Sequence, residues 1–296
     1  MRKIFFVLML TASVACSQKK GHTPDSNIFL PGQRLAQVKS DEIEEISGIA
    51  ASARYPGLFW VHNDSGNGAE IFLINNKLDI LLTVTLKGVV NRDWEDIPVG
   101  PGPVDGKSYV YIGEIGDNNA ADEYKYIYRL EEPARPPAAK AMMVSSFDII
   151  TFQLPDGSKD CESLLVHPVT KNVYIISKRE KPVYLYELKF PVATNDTVTA
   201  RRVMPLPYRD IVSADFSPDG NAFIMKNYLN IYYWKINEDL FSSLRERPYI
   251  LEYQPEPQGE AITFARDGEG YYTIGERTFY DRPYLSFYAR KKNIAN

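Results

Sequence analysis

An all-β fold, a β-propeller of five blades with four antiparallel strands each, follows from two features of the sequence. The first is a short pattern that returns five times: Glu45-Ile46-Ser47-Gly48-Ile49, Trp94-Glu95-Asp96-Ile97, Cys161-Glu162-Ser163-Leu164, Val212-Ser213-Ala214-Asp215 and Gly259-Glu260-Ala261-Ile262. The second is an apolar run that follows each copy and ends in polar residues: Phe59-Trp60-Val61-His62-Asn63-Asp64, Tyr111-Ile112-Gly113-Glu114, Ile175-Ile176-Ser177-Lys178, Ile224-Met225-Lys226-Asn227 and Thr273-Ile274-Gly275-Glu276. Aligned on Ser47, Glu95, Glu162, Ser213 and Glu260, the copies recur 48, 67, 51 and 47 residues apart. A period near 50 residues built from short strands is the signature of a propeller.

Each repeat divides into strand candidates rich in Tyr, Ile, Val and Phe, separated by turn residues. Blade one reads 47–51, 58–62, 70–74 and 81–86. Blade two reads 96–99, 109–113, 125–130 and 147–153, with the Pro/Ala-rich stretch 131–140 as a surface insertion. Blade three reads 163–167, 173–177, 183–188 and 197–204. Blade four reads 214–217, 222–225, 231–235 and 249–253, with a short helix at 240–245 on the connection. Blade five reads 261–265, 271–274 and 284–289, and then the chain ends. A blade lacking its outer strand exposes open sheet edges. The strand-like segment 33–39 therefore supplies the missing strand and closes the ring. The long interval between the second and third copies leaves room for a sixth, degenerate blade.

The N-terminus reads as an export signal: Arg2 and Lys3, an apolar stretch from Ile4 to Leu10, then small residues before Cys16. Residues 1–15 are expected to be removed and Cys16 lipidated, although Ser13 stands where Leu is commonest. Residues 16–32 become a polar tether and 33–296 one propeller domain. The expected location is the outer membrane, reached only through the lipid, with Ser17 giving no retention signal. Loss of Arg2 and Lys3 takes the formal charge from -4 to -6, which excludes an electrostatic case for nucleic-acid binding. With Cys16 lipidated, Cys161 stands alone and no disulfide forms. The chain is expected to be a monomer.

In an antiparallel blade the start of the first strand and the end of the second lie at one face. Both polar halves of the repeat thus converge on one mouth of the ring. Asp64, Glu95, Asp117, Glu162 and Glu260 are the candidate metal ligands, because the oxygen-rich loops Asn63-Asp64-Ser65-Gly66-Asn67 and Gly116-Asp117-Asn118-Asn119 suit a hard cation such as Ca²⁺. His62, Asn63, Glu114, Asn118, Lys178, Arg179, Lys226 and Arg277 are the candidate ligand-binding residues, the bases suiting a small anion. The alternative is that acids and bases neutralise one another and stiffen the mouth. Trp60, Trp94 and Trp234 read as core. No nucleophile elbow, P-loop, dinucleotide fingerprint or zinc spacing occurs.

The motifs His62-Asn63-Asp64-Ser65-Gly66, Asp93-Trp94-Glu95-Asp96-Ile97, Gly113-Glu114-Ile115-Gly116-Asp117-Asn118 and Gln258-Gly259-Glu260-Ala261-Ile262 resemble those of a family of exported bacterial propellers without a defined activity. The resemblance spans residues 42–277 and departs from the family pattern at Glu114, where Asp is usual. More distantly, the acidic mouth is similar to that of β-propeller phytases and of lactonase-like and strictosidine-synthase-like propellers. That similarity implies a divalent ion on the channel axis, and it rests on the fold alone. The expected function is ligand binding with calcium at one mouth. Two alternatives stand beside it: a metal-dependent hydrolase of phosphoesters or lactones, and a protein-docking platform using aromatics around Tyr271, Tyr272, Tyr280 and Tyr284.

Overall fold

A computed structural model describes residues 28–132 and 140–292. Cys16 and the export signal lie outside the described residues, as does most of the tether. Five small sheets form a ring of five blades, and among the described residues the long second interval holds no sixth blade. Blade one runs Ile46–Ala51, Leu58–Asn63, Glu70–Asn75 and Ile80–Leu86 from the channel outward. Blade three runs Cys161–Val166, Val173–Ser177, Val183–Leu188 and Arg201–Leu206. Blade four runs Ile211–Phe216, Ala222–Asn227, Ile231–Lys235 and Tyr249–Leu251.

Blade five closes as the incomplete repeat requires. Ala261–Phe264, Gly270–Ile274 and Tyr284–Ala289 are joined by the N-terminal strand Gln33–Gln37, antiparallel to Tyr284–Ala289. Packing begins before that strand: Phe29 is buried between blades four and five, edge-on to Tyr233 and Tyr271 at 5.5 and 4.9 Å.

Two features depart from the sequence reading. Ala141–Val144, just after the Pro/Ala-rich insertion, adds a fifth strand to blade one, parallel to Ile80–Leu86. The expected strand 197–204 divides, with Val198–Thr199 pairing parallel to Asp148–Gln153 of blade two and the rest staying in blade three. Blade two is otherwise formed by Trp94–Asp96, Val99–Pro101, Ser108–Glu114 and Lys125–Glu131. Its innermost strand is interrupted at Pro98, which has no N–H to give the ladder.

The core lies between blades rather than within them. Five clusters of buried side chains each join two neighbouring blades, and Trp60, Trp94 and Trp234 all belong to them. Around the channel, side chains bond one innermost strand to the next. Asp96 accepts from Leu164 N at 3.1 Å and Ser213 Oγ at 3.3 Å, and Asp215 accepts from Phe264 N at 2.9 Å. Thr263 Oγ1 accepts from Ala51 N at 3.2 Å. These bonds satisfy carboxylates that would otherwise be costly to bury.

The repeat carries a structural device of its own. Each innermost strand of blades one to four is bulged near its start, leaving Ser47, Glu95, Glu162 and Val212 outside the pairing register. In blade five pairing begins at Ala261, just past Glu260. The fourth copy is therefore framed one residue earlier than the sequence reading had it. Val212 holds the place of Glu95, and Ser213 that of Asp96. The spacing across the last three copies becomes 50 and 48 residues.

Candidate metal centre

A bulge re-aims the side chain that it leaves unpaired. Beyond the bulges of blades one to three, and at the matching place in blade five, the second strand runs on, so that Asp64 N bonds to Glu45 O at 2.8 Å, Gly116 N to Asp93 O at 3.1 Å, Lys178 N to Asp160 O at 2.9 Å and Glu276 N to Gln258 O at 2.9 Å. Bulge residues, the residues two before them and the ends of the second strands thus meet at one mouth. Carboxylate oxygens of Asp64, Asp93 and Glu95 lie within 4.8 Å of one another, as do those of Glu95, Asp160 and Glu162. Glu95 belongs to both groups.

The two groups differ in charge balance. Glu162 receives Lys178 at 2.6 Å, and Asp160 receives Arg179 at 2.5 Å. Among the described residues no basic side chain lies within ion-pair distance of Asp64, Asp93 or Glu95. Glu95 is 5 % exposed, yet the nearest donor to its carboxylate is Ser47 Oγ at 3.5 Å, whose single proton goes to the Glu95 carbonyl at 2.8 Å. A buried carboxylate without a donor or counter-ion is costly.

Titration follows from this geometry. Burial, then Glu162, Asp64 and Asp93, hold the Glu95 carboxyl well above the usual range. Burial lifts Asp93 to about 6, with Asp64 adding to it. Burial raises Glu162 to about 8 against the pull of Lys178. For Lys178 burial acts downward, but the Glu162 contact outweighs it and keeps the ammonium charged. Glu276 is pushed up to about 9 by burial and by Glu260.

Other sequence candidates occupy definite places. Asp117 lies outside both groups. Its carboxylate caps its own loop, accepting from Ala121 N at 2.8 Å and Asp122 N at 2.9 Å, with Lys125 at 3.7 Å. Glu114 accepts from Asp93 N at 2.6 Å and from Arg92 N and Trp94 Nε1, both at 3.1 Å, and so fixes the backbone beneath the acids. Asn118 Oδ1 accepts from Arg179. Asn63 Nδ2 donates to Glu42 O at 2.8 Å. Glu260 accepts from Tyr228 Oη at 2.6 Å, and Arg277 pairs with Glu44. His62 is buried against Trp94 with Nδ1 3.0 Å from Asn63 O, and burial lowers it to about 4, so it is neutral. Lys226, also buried and lowered to about 8 by burial, bonds to Gly259 O. Of the aromatics expected on a docking surface, Tyr271 is fully buried whereas Tyr280 is exposed.

Asp93 and Asp160 were not among the sequence candidates. A signal for both was present, since Asp93-Trp94-Glu95 and Asp160-Cys161-Glu162 share the same Asp-x-Glu spacing at equivalent places in the repeat. Gly116 also belongs to the site. A β-carbon there would overlap Glu95 Oε1 and stand 2.5 Å from Asp93 Cγ. Five carboxylates from three blades, one open side formed by half-buried Asp64 and Asp93, and only a long contact from Ser47 Oγ on Glu95 together fit a hard divalent cation.

No family model matches the chain, and no characterised protein sequence does. Among solved structures it is similar to the Dos1 propeller, at 12 % identity over 82 % of this chain and 68 % of that one, with a TM-score of 0.40. It is also similar to hydrazine synthase from Kuenenia stuttgartiensis, at 10 % identity over 86 % of this chain and 97 % of that one, with a TM-score of 0.44. These likenesses concern the fold alone.

Proposed function

We propose that this chain is an exported, lipid-anchored propeller that seats a divalent cation, calcium, among Asp64, Asp93 and Glu95 and binds a ligand over it. The observation that carries the reading is Glu95, a buried carboxylate aimed into an acidic group with one long contact, from Ser47 Oγ at 3.5 Å, and no basic side chain within ion-pair distance. Export and the lipid anchor rest on the Arg2–Cys16 pattern. The motifs that resemble the exported propeller family supply Asp64, Asp93, Glu95, Gly116 and Glu260, all at this mouth. A hard cation with oxygen ligands suits the donor set, which lacks thiolate or an available imidazole. Lys178 and Arg179, engaged by Glu162 and Asp160, stiffen the neighbouring wall.

Thermal melting with and without calcium tests the reading. A cation that binds only the folded chain stabilises it by about 2.7 kcal/mol at a hundredfold excess over Kd. For a domain of this size that corresponds to about 5 to 10 °C. Glu95→Gln keeps the shape, removes the charge and should abolish the gain while raising the metal-free melting temperature. A wild-type chain that melts identically in calcium and EDTA would overturn the proposal.

A further inference from the structure

The repeat builds the same acidic turn twice at this mouth. Asp93-Trp94-Glu95 of blade two and Asp160-Cys161-Glu162 of blade three share their spacing and the bulge at the Glu. They also share the bond that closes the second strand onto the Asp carbonyl, from Gly116 N in one and Lys178 N in the other. By that bond Gly116 and Lys178 hold matching places, although blade two has one residue more before it. Both places face the acids. A β-carbon on Gly116 would run into Glu95 Oε1 and Asp93 Oδ2, and Lys178 Nζ lies 2.6 Å from Glu162 Oε1. In blade one the same place belongs to Asp64, bonded to Glu45 O. One position of the repeat thus carries an acid, no side chain and an ammonium in three successive blades.

The ammonium of Lys178 is built into the wall. The residue is buried, its N–H donates to Asp160 O at 2.9 Å and its carbonyl accepts from Asp210 N at 2.7 Å. Nζ lies 5.5 Å from the ring centre of Tyr228, whose hydroxyl donates to Glu260 at 2.6 Å. Arg179 takes the other acid of the turn, Asp160, and reaches Asn118. Glu95 belongs to both acid groups, as does a carboxylate shared by two ions a few ångströms apart. A calcium on Glu162 Oε1 would stand about 2.4 Å from that oxygen. It would then be no more than about 5 Å from the Lys178 ammonium, and the repulsion between them is strong at a buried site. The half formed by Asp64, Asp93 and Glu95 has no such charge within ion-pair distance.

We propose that Lys178 stands in for a second cation, so that the mouth takes one divalent ion, among Asp64, Asp93 and Glu95, and not an adjacent pair. The assignment rests on the cation reading and adds to it the number of ions and the residue that sets that number. Chemistry that needs two ions side by side is closed to the wild-type mouth. Counting the ions tests this. Isothermal titration with calcium gives the number directly. Manganese, which takes the same oxygen ligands, gives a second count, because two adjacent ions couple and change the paramagnetic resonance spectrum. The wild-type chain should bind one calcium and show the spectrum of an isolated manganese.

Lys178→Gln keeps a donor for Glu162 and removes the charge. It should bind two calcium ions and give the spectrum of a coupled manganese pair. Lys178→Arg keeps the charge and should return the number to one. A lysine that only stiffened the wall would change the melting temperature and leave the count alone. One ion in Lys178→Gln, with circular dichroism like that of the wild type, would overturn the inference and leave the cation reading in place. Two ions in the wild type or in Lys178→Arg would do the same, and these counts decide whether or not the neutral variant folds. A wild-type chain that binds neither calcium nor manganese would instead remove the cation, and this inference with it.

Discussion

Gly116 lies directly against the carboxylate of Glu95, so that the smallest side chain at this position would overlap Oε1. The backbone at Gly116 is ordinary for any residue, because it is not among the positive-φ glycines. The constraint is contact with the acids. Gly116→Ala should therefore destabilise by about 1–3 kcal/mol through overpacking and push Glu95 and Asp93 apart. Calcium titration followed by melting should show a much reduced gain, with the far-ultraviolet circular dichroism of the folded chain retained. A variant with the full calcium gain would show that Glu95 and Asp93 do not act together.

Ring closure makes the N-terminal segment part of the core. Phe29→Ala removes a ring buried between blades four and five and should cost about 3–5 kcal/mol. Deleting residues up to 40 also strips the strand from the edge Tyr284–Ala289 and should lower the melting temperature of the whole domain in one transition. An unchanged melting temperature for the truncated chain would refute closure.

The raised carboxyls set the pH dependence. Asp93, Glu276 and Glu95 titrate above the ordinary carboxylate range, to about 6, about 9 and well upward respectively, chiefly through burial. Folding thus favours their protonated forms. That stability is complete below the usual carboxyl range and is lost as pH rises toward 9. The metal-free chain should melt lower at pH 8.5 than at pH 6. Calcium must displace these protons, so its gain should be small at pH 5 and several-fold larger at pH 8. A gain of equal size at both values would contradict the seating of the ion among these acids.

Cys16→Ser should move the chain from the membrane fraction to the soluble one, since a single acyl-bearing residue is the expected anchor. Fractionation of cells expressing each form decides this. Retention of the variant in the membrane fraction would show that the attachment does not depend on Cys16.

Much of the ring was legible in the chain because strand periodicity and turn residues are local properties. Val173–Ser177, Val183–Leu188, Ile231–Lys235 and Tyr284–Ala289 have the bounds that the sequence predicts. Closure by the N-terminal strand was legible too, since blade five runs out of residues and an open edge needs covering. The frame of the fourth repeat was not. A side-chain period of two makes a one-residue bulge exchange inward for outward, and only the pairing of Ile211 with Asn227 and Ser213 with Lys226 reveals it.

At the mouth the sequence by itself determined that acids from several blades converge, and it named Asp64, Glu95 and Glu162. Only the tertiary structure decided which of them meet. Closing the ring sets Asp160 beside Glu95 across 65 residues of chain, gives Lys178 and Arg179 to one group, and leaves the other without a counter-ion. Asp117, in a loop equally rich in oxygen, is turned instead toward its own backbone. Charge pairing acts over a few ångströms in space, and chain order does not encode those distances.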